Sequence, residues 1–135
     1  MKIVVVDGQG GKLGRQLVER ISAEIGDSRI TAIGTNSTAT EAMLKGGADF
    51  AATGENALVV ACRKADIIVG PIGIVISDAL MGEISPSMAN AVGSSLASRV
   101  LIPVNKCDSY IVGVENVTVS EMIDRAIEKI KELAL

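Results

Sequence analysis

Two kinds of apolar pattern alternate along the chain. Ile3 to Val6 is an unbroken β-branched run, which predicts a strand buried on both faces in the middle of a parallel sheet. Leu13, Leu17, Val18, Ile21 and Ile25 then recur at helical spacing, and Gly26 is placed to end that helix as the residue after its C-cap. Arg29 to Thr35 predicts a second strand. Thr38 to Glu41 (T-A-T-E) fits a capping box opening a helix that stops at Gly46-Gly47. Asp49 to Thr53 reads as a short third strand, Glu55 to Lys64 as a helix with Leu58, Val59 and Cys62 inward, and Ile67 to Val69 as a fourth, two-sided apolar strand ending in Gly70-Pro71.

The pattern blurs between Ile72 and Ser98, where I-G-I-V-I-S-D-A-L-M suits a helix or a buried loop equally. Ser85-Pro86 is clearer, with serine as N-cap and proline at the first helical position of a helix running to about Gly93. Val100 to Val104 predicts a fifth strand and Tyr110 to Val114 a sixth. The five residues between them are too few for a parallel crossover, so an antiparallel edge hairpin is expected, with Pro103 tolerable near an edge. Thr118 to Glu121 (T-V-S-E) is a second capping box. Val119, Met122, Ile123, Ala126, Ile127 and Ile130 form the apolar stripe of the last helix, and Glu121, Asp124, Arg125, Glu128 and Lys129 its solvated face.

Strand and helix alternating in this way imply right-handed crossovers and helices on both sheet faces. The expected fold is α/β, a single three-layer Rossmann-like domain over residues 1–135. Its sheet is mostly parallel and twisted, in order 3-2-1-4-5, with an antiparallel C-terminal edge hairpin.

Composition narrows the classes of function. Apolar residues are 48% and charged residues 21% of 135, as in a compact globular domain. Asp66, Gly70, Pro71 and Asp78 interrupt the most hydrophobic region, so no membrane span is expected. A first strand starting at Lys2 leaves no room for a signal peptide, and a cytoplasmic location is expected. There is no histidine, which removes Ser-His-Asp triads, Cys-His dyads and most zinc sites. A net charge of −3, with Phe50 and Tyr110 the only aromatics, gives no basic groove with stacking platforms, and nucleic acid is not an expected partner.

The candidate chemistry lies in Val6 to Gly14, V-D-G-Q-G-G-K-L-G, between the first buried strand and the first amphipathic helix. Gly8, Gly11 and Gly14 have the spacing G-x-x-G-x-x-G, with Gly10 extra. In a dinucleotide fold such glycines give the tight turn, the approach of backbone to pyrophosphate and close helix packing, with the phosphate on the helix N-terminus. The same glycines also serve a fold that only needs a strand turned tightly onto a helix. On the phosphate reading, Gly8, Gln9, Gly10, Gly11, Lys12 and Leu13 form the cradle, Thr35 and Asn36 meet a ribose or its phosphate at the end of the second strand, and Gly70 and Pro71 wall the crevice at the switch point. Thr35, Asn36 and Ser37 are polar but uncharged, so the expected cofactor is NAD or NADP without a choice between them. The alternative for these three is a polar loop capping a helix.

Asp7 sets a carboxylate beside the place of the anion, where like charge is unfavourable unless a cation or the helix dipole intervenes; it could also contact a ribose or a metal-bridged phosphate. Cys62, in an apolar helix, reads as a small hydrophobe. Cys107 sits in N-K-C-D, where Lys106 can stabilise a thiolate and Asp108 opposes it. Asp7 and Cys107 are the candidates for catalysis.

The string G-Q-G-G-K-L-G-R-Q-L, Gly8 to Leu17, resembles the phosphate loop of dihydrodipicolinate reductases, and no counterpart of their second, substrate-binding domain is expected within residues 1–135. Over nearly its whole length, the chain resembles an uncharacterised family of small bacterial Rossmann-like proteins. The residues carrying that resemblance are D-G-Q-G-G (Asp7 to Gly11), I-G-T-N (Ile33 to Asn36), A-T-G-E-N-A (Ala52 to Ala57), I-V-G-P-I-G-I (Ile68 to Ile74) and I-P-V-N-K-C (Ile102 to Cys107). It implies a fold and no activity. The expectation is a module binding a small phosphate-bearing ligand, NAD(P) or a related nucleotide. The alternatives are a small NAD(P)-dependent oxidoreductase completed by a partner subunit and a non-catalytic assembly subunit. A homodimer is expected from the apolar stretch Ile67 to Met81 and from an exposed final hairpin.

Overall fold

A computed structural model describes all 135 residues, Met1–Leu135. Five strands and five α-helices follow one another as β1 (Lys2–Asp7), α1 (Lys12–Glu24), β2 (Arg29–Gly34), α2 (Ser37–Lys45), β3 (Phe50–Thr53), α3 (Glu55–Lys64), β4 (Ile67–Pro71), α4 (Pro86–Gly93), β5 (Ser98–Ile102) and α5 (Val119–Leu133). A short 3-10 turn, Ile72–Val75, follows β4 directly. The strands form one sheet in the order β3-β2-β1-β4-β5, and every pairing in it is parallel.

The pleat of β1 divides the core. Ile3 and Val5 face α1, α2 and α5, packing with Leu17, Val18, Ile21, Met43, Ile127 and Ile130. Val4 and Val6 face α3 and α4, packing with Leu58, Cys62, Ile84, Met88 and Val92. Because both faces are covered, β1 is apolar without a break from Ile3 to Val6 and β4 from Ile67 to Val69, as a two-sided buried strand requires. β4 lies against β1 so closely that a side chain at Gly70 would run into the Val6 carbonyl.

Caps hold the helix starts. Ser85 accepts the Met88 N–H at the start of α4 (3.2 Å) and Thr118 accepts that of Glu121 at the start of α5 (3.1 Å), both as the sequence predicts. The capping box expected at Thr38 to Glu41 is not the cap used. Asn36 caps α2 instead, accepting from the Ala39 N–H at 2.9 Å, so the helix begins a residue ahead of Thr38.

The expected antiparallel hairpin is absent. Residues Pro103 to Thr118 contain no strand, and the predicted sixth strand, Tyr110 to Val114, pairs with nothing. The reason is in the backbone: Asn105, Cys107, Asp108, Gly113 and Asn116 all have positive φ, a series of turns incompatible with a ladder. Tyr110 and Val112 supply the aromatic and β-branched character of a strand, yet they lie 94% and 92% exposed with no partner edge. β5 is therefore a parallel edge strand. The stretch expected to form a dimer contact is largely internal, since Ile67, Ile68, Val69, Ile74, Ala79 and Leu80 are all buried. The hairpin is thus not there to expose an edge, and of the apolar stretch Met81 at its end is the residue left fully open, 94% exposed. No helix is long and apolar enough to cross a membrane.

Candidate functional site

β1 delivers Asp7 to the C-terminal edge of the sheet, and the chain turns through Gly8 to Gly11 into α1. The turn is closed by the Gly11 N–H on the Gly8 carbonyl (2.9 Å). Gly11 takes φ +73°, and a side chain on it would strike the backbone of Ala39 in α2 at 2.7 Å. A side chain at Gly14 would meet Met43 and the Cβ of Asp7. At Gly8 the obstacles are Thr35 Oγ1, Leu80 and Glu83 Oε1, at 2.7 to 3.0 Å. Three of the four glycines are thus accounted for by close packing within the protein. Gly10 is the exception: it is exposed, its φ is not positive and a Cβ there would meet nothing within 4 Å.

Two carboxylates of the chain satisfy much of this loop. The Gly8 N–H donates to Asp7 Oδ1 (2.8 Å) and the Gly14 N–H to Asp7 Oδ2 (2.7 Å), so Asp7 acts from the strand end as the cap that α1 lacks at its own N-terminus. Burial pushes the Asp7 carboxyl above its usual range; the Gly14 and Gly8 N–H groups oppose that shift, and the charge of Glu83 adds to it. The second carboxylate is Glu83, on the loop between the 3-10 turn and α4. Its Oε1 accepts from the Gln9 N–H (2.9 Å), the Thr35 O–H (2.5 Å) and the Asn36 side-chain N–H (2.8 Å). Desolvation alone would raise the Glu83 carboxyl, but the hydrogen bonds from Thr35, Gln9 and Asn36 together outweigh it and hold the group below the usual glutamate range.

The loop's remaining donors are the N–H groups of Gly10, Lys12 and Leu13, which have no acceptor within the protein. All three residues border a cleft of about 680 Å³ over the C-terminal ends of β1 and β4. Its walls are the loop and first turns of α1, Pro71, Leu80, Val104, Asn105 and the start of α5 at Val119, Ser120 and Ile123. Three other charged side chains border it. Glu19 pairs with Arg15, and Arg20 with Glu24 and Asp124; Lys12 is exposed and in no ion pair.

Of the residues expected to bind a cofactor, Gly8, Gln9, Gly10, Gly11, Lys12, Leu13 and Pro71 lie together on this cleft, with Asp7 beneath them. Thr35 and Asn36 lie on the far side of the glycine loop, held by Glu83, and Gly70 is buried under the Val6 carbonyl. Cys107 is outside the cleft: its thiol donates to the Asn105 carbonyl (3.1 Å) and packs toward Gly73. Cys62 is buried, and its thiol is pushed up to about 11 by desolvation, as suits a core residue. No group of three or more cysteines and acids is placed to hold a metal ion. The sequence points neither to Glu83 nor to Asn105 and Ser120, because their places are set by loops whose course no local motif encodes.

The chain belongs to the family defined by a domain of unknown function, DUF3842, whose model matches residues 2–135. No curated protein matches it, so the likeness of the glycine loop to dihydrodipicolinate reductases rests on that short string alone. Among solved structures, the crystal structure of a dodecameric FMN-dependent UbiX-like decarboxylase from Escherichia coli O157:H7 is similar to this chain at 14% identity and a TM-score of 0.49, covering 100% of this chain and 95% of that one. A likeness of that degree carries no argument, and neither the flavin nor the assembly is transferred to this chain.

Proposed function

We propose that this domain binds a small phosphate-bearing ligand, of the nucleotide or NAD(P) class, on the N–H groups of Gly10, Lys12 and Leu13. The observation that carries the reading is that these are the loop's only backbone N–H groups left without an acceptor, and that all three residues border one open cleft beside an unpaired lysine. Two successive N–H groups at a helix start and a third just before them present partial positive charge that suits a phosphate. Gly10 supports the same reading, because nothing in the packing requires a glycine there, while a ligand pressed against the backbone would.

No reaction is assigned. Asp7 borders the cleft but both its oxygens are engaged by backbone N–H groups, and Cys107 does not reach it, so neither candidate for catalysis offers a free group to a ligand held there. For a dinucleotide, the pyrophosphate is the part matched to the three donors, and Thr35 and Asn36 can meet the ribose only where Glu83 gives way.

Calorimetric titration with pyrophosphate and with NADP⁺ tests this on wild type and on Gly10→Val. The side chain points into open space, so stability should stay within about 0.5 kcal/mol, while pyrophosphate affinity falls at least about tenfold, roughly 1.4 kcal/mol. Equal affinity in the two proteins, or no binding to wild type, removes the proposal.

A further inference from the structure

We infer that Glu83 is a built-in competitor: its carboxylate occupies a second anion subsite made by the Gln9 N–H, the Thr35 hydroxyl and the Asn36 amide, which an external phosphate monoester enters only when that side chain leaves. The inference rests on the proposed binding mode only in supposing that the ligand is a phosphate; the subsite itself is distinct from the three free N–H groups.

Three donors from two segments, the glycine loop and the end of β2, converge on one oxygen, Glu83 Oε1. Convergence of neutral donors on one negatively charged atom is how proteins hold an anion, and here the anion is delivered by the chain itself, from 74 residues away in sequence at Gln9. Gly8 completes the seat, since any side chain on it would displace Thr35 Oγ1 and Glu83 Oε1. The first glycine of the motif therefore makes room for an internal carboxylate.

The loop that carries Glu83 is organised to hold its backbone while freeing its side chain. Asp78 N–H donates to the Ile84 carbonyl and Ile84 N–H to that of Ala79, closing the segment on itself. Ala79, Leu80 and Ile84 anchor it in the core. The tip is made of Asp78, Leu80, Met81 and Gly82 in left-handed conformations, with Met81 94% exposed. The one hydrogen bond between this loop and the glycine loop is the Gln9 N–H on Glu83 Oε1, beside the packing of Leu80 near Gly8. A rotamer change at one residue is thus enough to empty the subsite without unfolding the loop.

Release of Glu83 is tested with inorganic phosphate as the probe, added to ¹⁵N-labelled protein and followed at individual N–H signals. In wild type the Asn36 side-chain NH₂, which lies away from Gly10, Lys12 and Leu13, should stay unmoved. In Glu83→Ala that signal and the Gln9 amide should both shift, at phosphate concentrations at least tenfold below any that move the Asn36 signal in wild type, and Thr35→Val in that background should reverse the gain. Glu83→Gln, which keeps an acceptor but not the charge, serves as the conservative variant and should fall between the two. Gln9 and Asn36 signals that ignore phosphate in both Glu83 variants overturn the inference. Response at Gly10, Lys12 and Leu13 is read separately in the same spectra; its absence counts against the proposed ligand site alone and leaves the Glu83 result standing.

Discussion

A carboxylate at the end of the first strand, where a phosphate loop would be expected to avoid negative charge, is explained at the level of single atoms. Asp7 serves as the helix cap, and its two oxygens are saturated by Gly8 and Gly14. Asp7→Ala orphans both buried N–H groups and should cost about 2 to 4 kcal/mol by urea denaturation, as expected for two hydrogen bonds to a charged acceptor. Asp7→Asn keeps one acceptor and removes the like charge, so it should bind pyrophosphate more tightly than wild type although it is less stable.

Asp7 and Glu83 should bend stability against pH in opposite senses. The Asp7 carboxyl is raised in the fold, so its contribution is fully present below the ordinary aspartate value of about 3.9 and is lost as pH rises through the folded value. The Glu83 carboxyl is lowered, so its contribution is present above about 4.3 and is lost as pH falls through the folded value. Chemical denaturation from pH 3 to 7 should therefore show the advantage of wild type over Glu83→Gln shrinking on acidification below about pH 4.3. An advantage that is constant across that range would mean that the three donors do not hold a charged Glu83.

Among the elements, strand and helix positions were readable because each obeys one period and one set of punctuation. The β-branched run at Ile3 to Val6, the Ser85-Pro86 start and the Thr118 box each fix an element by local chemistry, and right-handed crossovers narrow the sheet orders to a few that include the one observed. The failure at Tyr110 to Val114 has the same origin. Strand propensity there is local, whereas a ladder needs a partner edge, and five left-handed residues between Asn105 and Asn116 deny it one. Thr38 misled in a similar way: Asn36, two residues earlier, has both the acceptor and the extended backbone that a cap needs. Two substitutions test the elements. Thr118→Ala should cost about 1 kcal/mol through loss of the α5 cap, read in thermal or urea unfolding. Gly70→Ala should cost at least about 3 kcal/mol, because the added carbon would press on the backbone of β1 and not on a mobile side chain.

For the molecule as a whole, the site was half legible. The glycine spacing located the cleft, since the loop between a buried strand and the helix that follows can only lie at the C-terminal edge of the sheet. It did not reveal that Gly8, Gly11 and Gly14 serve internal packing, that Glu83 arrives from the far side of the fold, or that the unpaired donors are Gly10, Lys12 and Leu13. Each of those depends on contacts between segments distant in sequence. On the two proposals made above, the domain has two anion seats around one loop: donors closed on the carboxylate of Glu83, and the N–H groups of Gly10, Lys12 and Leu13 beside the cleft.

A crystal structure grown with pyrophosphate well above its solution dissociation constant tests the open seat most directly. The expected result is ligand oxygens at hydrogen-bonding distance, about 2.7 to 3.2 Å, from the nitrogens of Gly10, Lys12 and Leu13, with Lys12 turned toward them. Pyrophosphate bound elsewhere on the surface, with those three nitrogens still facing water, would contradict it.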